Sequence, residues 1–167
     1  MKDSYTHVLK AHIALSSQVF PEGTQGGQLD TVARAMLWNE CMDYTHGTGH
    51  GVGFCLNVHE GPQSISLRNQ VTLQKGMICS IEPGYYKEGN YGIRIENLAL
   101  VVENSDGWLE FEPLTMVPYE RKLINKSLLS EKEIAWIDTY HRKVFDTLKD
   151  IVDEETYNWL KLQTNPL

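Results

Sequence analysis

The sequence predicts an α+β fold, on three features of its texture. Apolar residues recur at helical spacing toward the N-terminus, at Val8, Ala11, Leu15 and Val19. They do so again toward the C-terminus, at Ile134, Ile137, Val144, Leu148 and Ile151. Between them, from about 44 to 118, short Val- and Ile-rich runs are broken by Gly, Pro and Asn, which is the chemistry of strands and hairpins.

The first helix is expected over residues 3–20, ended by Pro21. The stretch PEGTQGGQ reads as a loop, after which Leu29, Val32, Ala33, Met36, Leu37 and Cys41 mark one face of a second helix. Ser130 followed by Glu133 forms a capping box for a third helix. A short fourth is expected near 154–162, before Asn165-Pro166. The texture divides the chain into a strand-bearing body, 1–118, and a helical extension, 119–167.

A chain of 167 residues with 41% hydrophobic content can build one domain with a sizeable core. The net charge of -7 and the dispersal of its 15 basic residues argue against a nucleic-acid partner, because phosphate binding rests on clustered Lys and Arg. No segment approaches the run of about 20 apolar residues that spans a bilayer, so no membrane association is expected. Cys41, Cys55 and Cys79 form no C-x-x-C pair and read as buried free thiols in a reducing, cytoplasmic setting.

The densest chemistry lies in His46-Gly-Thr-Gly-His50-Gly-Val-Gly53, followed by Val58-His59-Glu60, Glu82-Pro83-Gly84-Tyr85-Tyr86 and Gly92-Ile93-Arg94-Ile95-Glu96. Histidine and carboxylate together are ligands of a divalent cation. The alternating glycines oppose a helix, since each costs about 1 kcal/mol there relative to Ala. A separation of four still puts His46 and His50 on one face. Ordinary surface or core histidines remain an equal reading.

A hairpin centred near Gly89 pairs residues whose numbers sum to about 178, so Glu82 faces Glu96. Like charges so placed repel unless a cation lies between them. The alternative is that Pro83-Gly84 shifts the register and turns Glu82 to the other face. Arg94 shares the face of Glu96 and could meet a substrate or form a structural salt bridge. His59 is placed at the end of a strand, and Tyr85 and Tyr86 read as packing residues that could line a pocket.

In this order the motifs resemble the pita-bread metallopeptidases, and most of all the aminopeptidase P (Xaa-Pro aminopeptidase) group. The similarity runs through YTHVLKAHIALS, GTQGGQLDTVAR, HGTGHGVGFCLNVHEGP, GMICSIEPGYY, YGIRIENLALVV, FEPLTMVPYERKLI and WLKLQTNPL. The resemblance implies a partial pita-bread fold, a curved antiparallel sheet with outer helices. It further implies a metal-dependent aminopeptidase that removes the N-terminal residue from Xaa-Pro peptides. His50, Glu82 and Glu96 would be metal ligands, with Glu96 bridging two ions and Glu82 beside the attacking water. His46, His59 and Arg94 would complete the catalytic group.

The implied cofactor is a pair of divalent ions, manganese first, with zinc or cobalt possible. The implied partners are proline-containing peptides and a second copy of the chain, docked through Trp136, Tyr140, Trp159 and Leu160. A prolidase-like peptidase and a non-catalytic binding module of the same fold are the alternatives. The family's two metal-binding aspartates have no match here, and Asp3 and Asp30 do not fill the pattern. The chain alone is therefore expected to lack two ligands, to hold at most one ion and to be inactive.

Overall fold

A computed structural model describes residues 1–55 and 57–167. The chain forms two compact units, one of residues 7–115 and one of residues 1–6 with 116–167.

The larger unit carries most of helix α1 (Lys2–Ser16), helix α2 (Gly26–Trp38) and all seven strands. The strands are β1 (Gly49–His50), β2 (Ser64–Ile65), β3 (Ile78–Ile81), β4 (Gly84–Lys87), β5 (Tyr91–Arg94), β6 (Asn97–Glu103) and β7 (Leu109–Pro113). They pair antiparallel as β1-β2, β3-β6-β7 and β4-β5. Val8, Leu9, Leu15, Leu37, Ile65, Leu73, Cys79, Ile81 and Val101 are fully enclosed and form the core. Burying each such aliphatic side chain stabilises the fold by roughly 1.5–3 kcal/mol.

The expected hairpin is present, as two ladders in one continuous register. Gly84 pairs with Arg94 and Ile81 with Asn97, and the Ile95 amide bonds the Pro83 carbonyl across the break at 3.3 Å. Pro83-Gly84 interrupts the strand without slipping it. The odd residues Cys79, Ile81, Ile93 and Ile95 therefore face the core. Ser80, Glu82, Tyr86, Arg94 and Glu96 fall on the opposite face, as the two-residue period requires.

Several expectations need correction. Helix α1 stops at Ser16, because the Gln18 amide tightens onto Leu15 and Phe20 exchanges backbone bonds with Leu109 at 2.8 and 2.9 Å; Val19 is consequently exposed. Cys41 lies beyond α2 in a left-handed conformation, φ 55°. Both Cys41 and Cys55 are exposed, and of the three thiols only Cys79 is buried. His59 sits in a bend rather than at a strand end.

The smaller unit contains α3 (Glu131–Leu148) and α4 (Glu154–Gln163). Ser130 caps α3 reciprocally with Glu133, as its sequence predicts. Ile137, Tyr140, His141 and Val144 form the buried stripe of α3, whereas Ile151 lies past its end and is 76% exposed. Tyr140 stacks on Tyr119 and Trp136. With Leu160 it belongs to this unit's own core, at 3% and 2% exposed, so neither offers a docking surface; Trp159 remains 51% exposed.

Candidate metal centre

The glycine run serves close approach rather than strand length. A Cβ on Gly49 would lie 1.9 Å from the Ser80 carbonyl oxygen, and one on Gly51 would lie 2.1 Å from that of Glu60. Only without side chains can this segment lie against β3 and the 60–63 loop. The result carries His50 to the end of β3, where the Ser80 hydroxyl accepts the His50 amide at 2.9 Å and donates to Glu82 Oε1 at 2.9 Å.

His50, Glu82 and Glu96 each offer a ligand atom, and these atoms all lie within 4.8 Å of one another. Three donors spread evenly around an ion with bonds of about 2.1 Å lie about 3.6 Å apart, and atoms up to 4.8 Å apart stand within about 2.8 Å of a common centre. The cluster thus closes on a single ion with adjustments of under about 1 Å. It is the one such group among the described residues.

The tautomer of His50 sharpens this geometry. Its Nδ1 lies 3.0 Å from the Gly51 carbonyl oxygen, which can only accept, so Nδ1 carries the proton. In the neutral ring Nε2 then presents a lone pair, and it faces Glu82 Oε1 at 3.3 Å. Two electron-rich atoms at that distance call for a positive charge between them, a proton or a metal ion. A ring whose second nitrogen donates to a backbone carbonyl is also the usual arrangement of a metal-binding histidine.

Around this cluster lies a cleft of about 300 Å³ lined by His46, Gly47, Gly49, His50, His59, Glu82 and Arg94. The structure thus brings together every sequence-predicted site residue: the cleft takes in all but Glu96, which joins through the ligand cluster. The His59 ring lies against that of His50, centroids 4.1 Å apart. Arg94 Nη1 is 3.4 Å from Glu82 Oε2. The hydrogen bond to Tyr86, with the charges of Glu82 and Glu96, holds the Arg94 guanidinium above its ordinary pKa.

Two contributors, Ser80 and Thr48, escaped the sequence reading, and a third, Tyr86, was read there as a packing residue that could line a pocket. Tyr86 is the junction of His46 and Arg94. The His46 Nδ1 donates to the Gly47 carbonyl at 2.7 Å, so its Nε2 accepts from the Tyr86 hydroxyl at 2.8 Å, while that oxygen accepts Arg94 Nε at 2.9 Å. Ser80 bridges His50 and Glu82. Parity along the hairpin could have found both, because 80, 82, 86, 94 and 96 share one face. Thr48, whose carbonyl accepts the Glu82 amide at 2.7 Å, left no such signal.

The chain is 47% identical over 176 residues to a probable Xaa-Pro aminopeptidase P of Coprinopsis cinerea, covering 98% of the chain and 28% of that protein. It is 49% identical to aminopeptidase P2 of Arabidopsis thaliana, covering 99% of the chain and 25% of that protein. Among solved structures, X-prolyl aminopeptidase of Caenorhabditis elegans, described as a cytosolic enzyme with a di-nuclear active site, superposes with TM-score 0.93 at 40% identity. That match covers 99% of the chain and 29% of that protein. Prolidase from Pyrococcus furiosus superposes with TM-score 0.62 at 32% identity, over 71% of the chain and 33% of that protein.

The chain therefore spans under a third of the length of the aminopeptidase relatives, and its helices and antiparallel sheets are a partial pita-bread fold. Residues 107–167 match the model of the C-terminal region of peptidase M24. Residues 1–103 match the model of metallopeptidase family M24, and the chain belongs to that family.

Proposed function

We propose that this protein is a metal-dependent aminopeptidase that releases the N-terminal residue from peptides with proline in second place. In this reading His50, Glu82 and Glu96 hold a divalent cation. The observation that carries it is the Nε2 lone pair of His50 facing Glu82 within a three-donor cluster. When bound, the cation would lower the pKa of a coordinated water and polarise the scissile carbonyl. The family and the names of the relatives support the reaction class.

The chain's own residues supply orientation and charge. Ser80 and Arg94 hold the two oxygens of Glu82 from opposite sides, which fixes the carboxylate toward His50. His46, with Nδ1 committed to a backbone carbonyl, keeps Nε2 as an acceptor toward the cleft, now taken by Tyr86. A substrate N–H or O–H could displace that hydroxyl. His59, its ring tilted against that of His50, would contact a bound peptide in the cleft. Manganese is the proposed ion, with zinc or cobalt as substitutes. A cytosolic location and a homodimer complete the proposal.

A panel of Xaa-Pro-Yaa peptides with free or blocked amino termini, and Xaa-Pro dipeptides, tests the activity. The expected result is manganese-dependent cleavage of the free tripeptides where the family's two aspartates complete the site, and negligible cleavage by these 167 residues alone, whose described residues supply three donors. Cleavage restricted to dipeptides would favour a prolidase-like enzyme instead, a reading that the likeness to the Pyrococcus prolidase supports. Absence of cleavage and of metal uptake together would indicate a binding module.

A further inference from the structure

The larger unit contains a buried ion pair that the chemistry above does not use. Asp30 and Arg34, one turn apart on α2, have side chains 0% and 6% exposed, with Arg34 Nε donating to Asp30 Oδ2 at 2.7 Å. A buried pair is seldom a source of stability, since apolar residues of similar volume do as well, and its best-attested use is to specify one arrangement.

The partners of this pair all lie in a single segment. Arg34 Nη1 donates to Asp43 Oδ1 and to the Tyr44 carbonyl, both at 2.8 Å, and Nη2 donates to the His46 carbonyl at 2.7 Å. The guanidinium also lies 4.1 Å over the Tyr44 ring. Thr48 donates its hydroxyl proton to Asp30 Oδ1 at 2.5 Å and receives that of Tyr44. The Thr48 carbonyl in turn takes the Glu82 amide at 2.7 Å. Burial pulls the Arg34 guanidinium down, but the bond to Asp30 and the charges around it outweigh this and hold it above its ordinary value. The guanidinium is therefore charged and gives three of its hydrogen bonds to the stretch that carries His46 and leads into His50.

We propose that Asp30, Arg34 and Thr48 are positioning residues of the candidate metal centre: they fix the path of residues 43–48 and, through it, the seats of His46, His50 and Glu82. The inference rests on the metal-site reading for its consequence, and on the hydrogen bonds alone for its geometry. None of the three lines the cleft, so they act through backbone.

The test uses the full chain as Arg34→Lys, which keeps the charge and loses the fork, and as Thr48→Val, which keeps the shape and loses the hydroxyl. Leu15→Ala, a core truncation remote from the network, is the control for lost stability. Cobalt titration followed by visible absorption reads the site, and amide hydrogen exchange of the metal-free chain reads the positioning. Both variants are expected to bind Co²⁺ about 10- to 100-fold more weakly than wild type. Their Glu82 amide should exchange faster relative to the Val101 amide, which bonds Met77 in the neighbouring ladder. Leu15→Ala should move both amides together and leave cobalt affinity unchanged.

Glu82 and Val101 moving together in Arg34→Lys and Thr48→Val would overturn the proposal, whether or not the wild type binds cobalt. Wild-type cobalt affinity in both variants would overturn it too. A wild type that takes up no cobalt, with selective exchange at Glu82 in the variants, would remove the metal reading and leave the positioning role standing. Should Arg34→Lys fail to fold, Thr48→Val carries both readouts.

Discussion

The imidazole of His50 and the carboxylate of Glu82 stand 3.3 Å apart, with the His50 Nδ1 proton already spent on Gly51. The pair is thus oriented to share a cation, and Ser80 locks it by bonding the backbone of one and the side chain of the other. That relationship governs the predictions about the site.

Metal uptake should be one equivalent of Mn²⁺ or Co²⁺ per chain, because the described residues provide one three-donor cluster. His50→Ala should weaken binding at least about 100-fold. Metal at about 100 times its Kd should stabilise the wild type by about 2.7 kcal/mol, visible as a raised Tm that EDTA reverses. Isothermal titration giving two equal sites, or a Tm indifferent to metal, would contradict this.

Two glycines of the same run should answer differently to alanine. Gly47→Ala meets nothing nearer than 3.4 Å and should change stability by no more than about 0.5 kcal/mol. Gly49→Ala drives a methyl to 1.9 Å from the Ser80 carbonyl, so β1 must move away from β3, at a cost of roughly 1–3 kcal/mol. Urea denaturation of both variants checks the contrast.

Tyr86→Phe removes the hydroxyl that joins His46 to Arg94. Because Tyr86 is 45% exposed, water can satisfy the freed groups and stability should change by less than about 1 kcal/mol. Where the family's two aspartates complete the site, kcat/KM should fall about 10- to 100-fold, as for a residue that orients a proton-transferring group, with metal affinity kept. A parallel loss of metal would place Tyr86 in the binding of the ion instead.

Acid should destabilise the smaller unit through His141. Its Nε2 accepts the Tyr119 amide at 3.1 Å, and burial, aided by the positive charge of Arg121, lowers its pKa from 6.5 to about 4. The folded state therefore prefers the neutral ring, while the unfolded chain takes up the proton first. The stability in question is complete above about pH 6.5 and is lost as pH falls to about 4, by up to about 3 kcal/mol. His141→Gln should flatten that slope in stability measured between pH 7 and 4. His12, fully buried and likewise pushed down to about 4 by burial, gives the larger unit a slope of the same sign.

The sequence by itself determined the local elements and the identity of the chemical groups. The capping box at Ser130, the α2 periodicity and the sum of 178 about Gly89 are properties of neighbours in the chain, and local sterics enforce them. The same register offered Glu82 against Glu96, with a slip at Pro83-Gly84 as the alternative, and the structure decided between them by carrying the pairing through the break unshifted. Where distant backbone intervened, the chain said less. Phe20 left the helix to pair with Leu109, Cys41 turned outward past α2, and Tyr140 and Leu160 went into a core rather than onto a surface. The tautomer of His50, the bridge of Ser80 and the fork of Arg34 depend on partners up to 32 residues away or on a carbonyl's direction, and no period in the sequence encodes such an orientation. Tertiary packing alone decided it, because a hydrogen bond's donor and acceptor must meet in space at a fixed distance and angle.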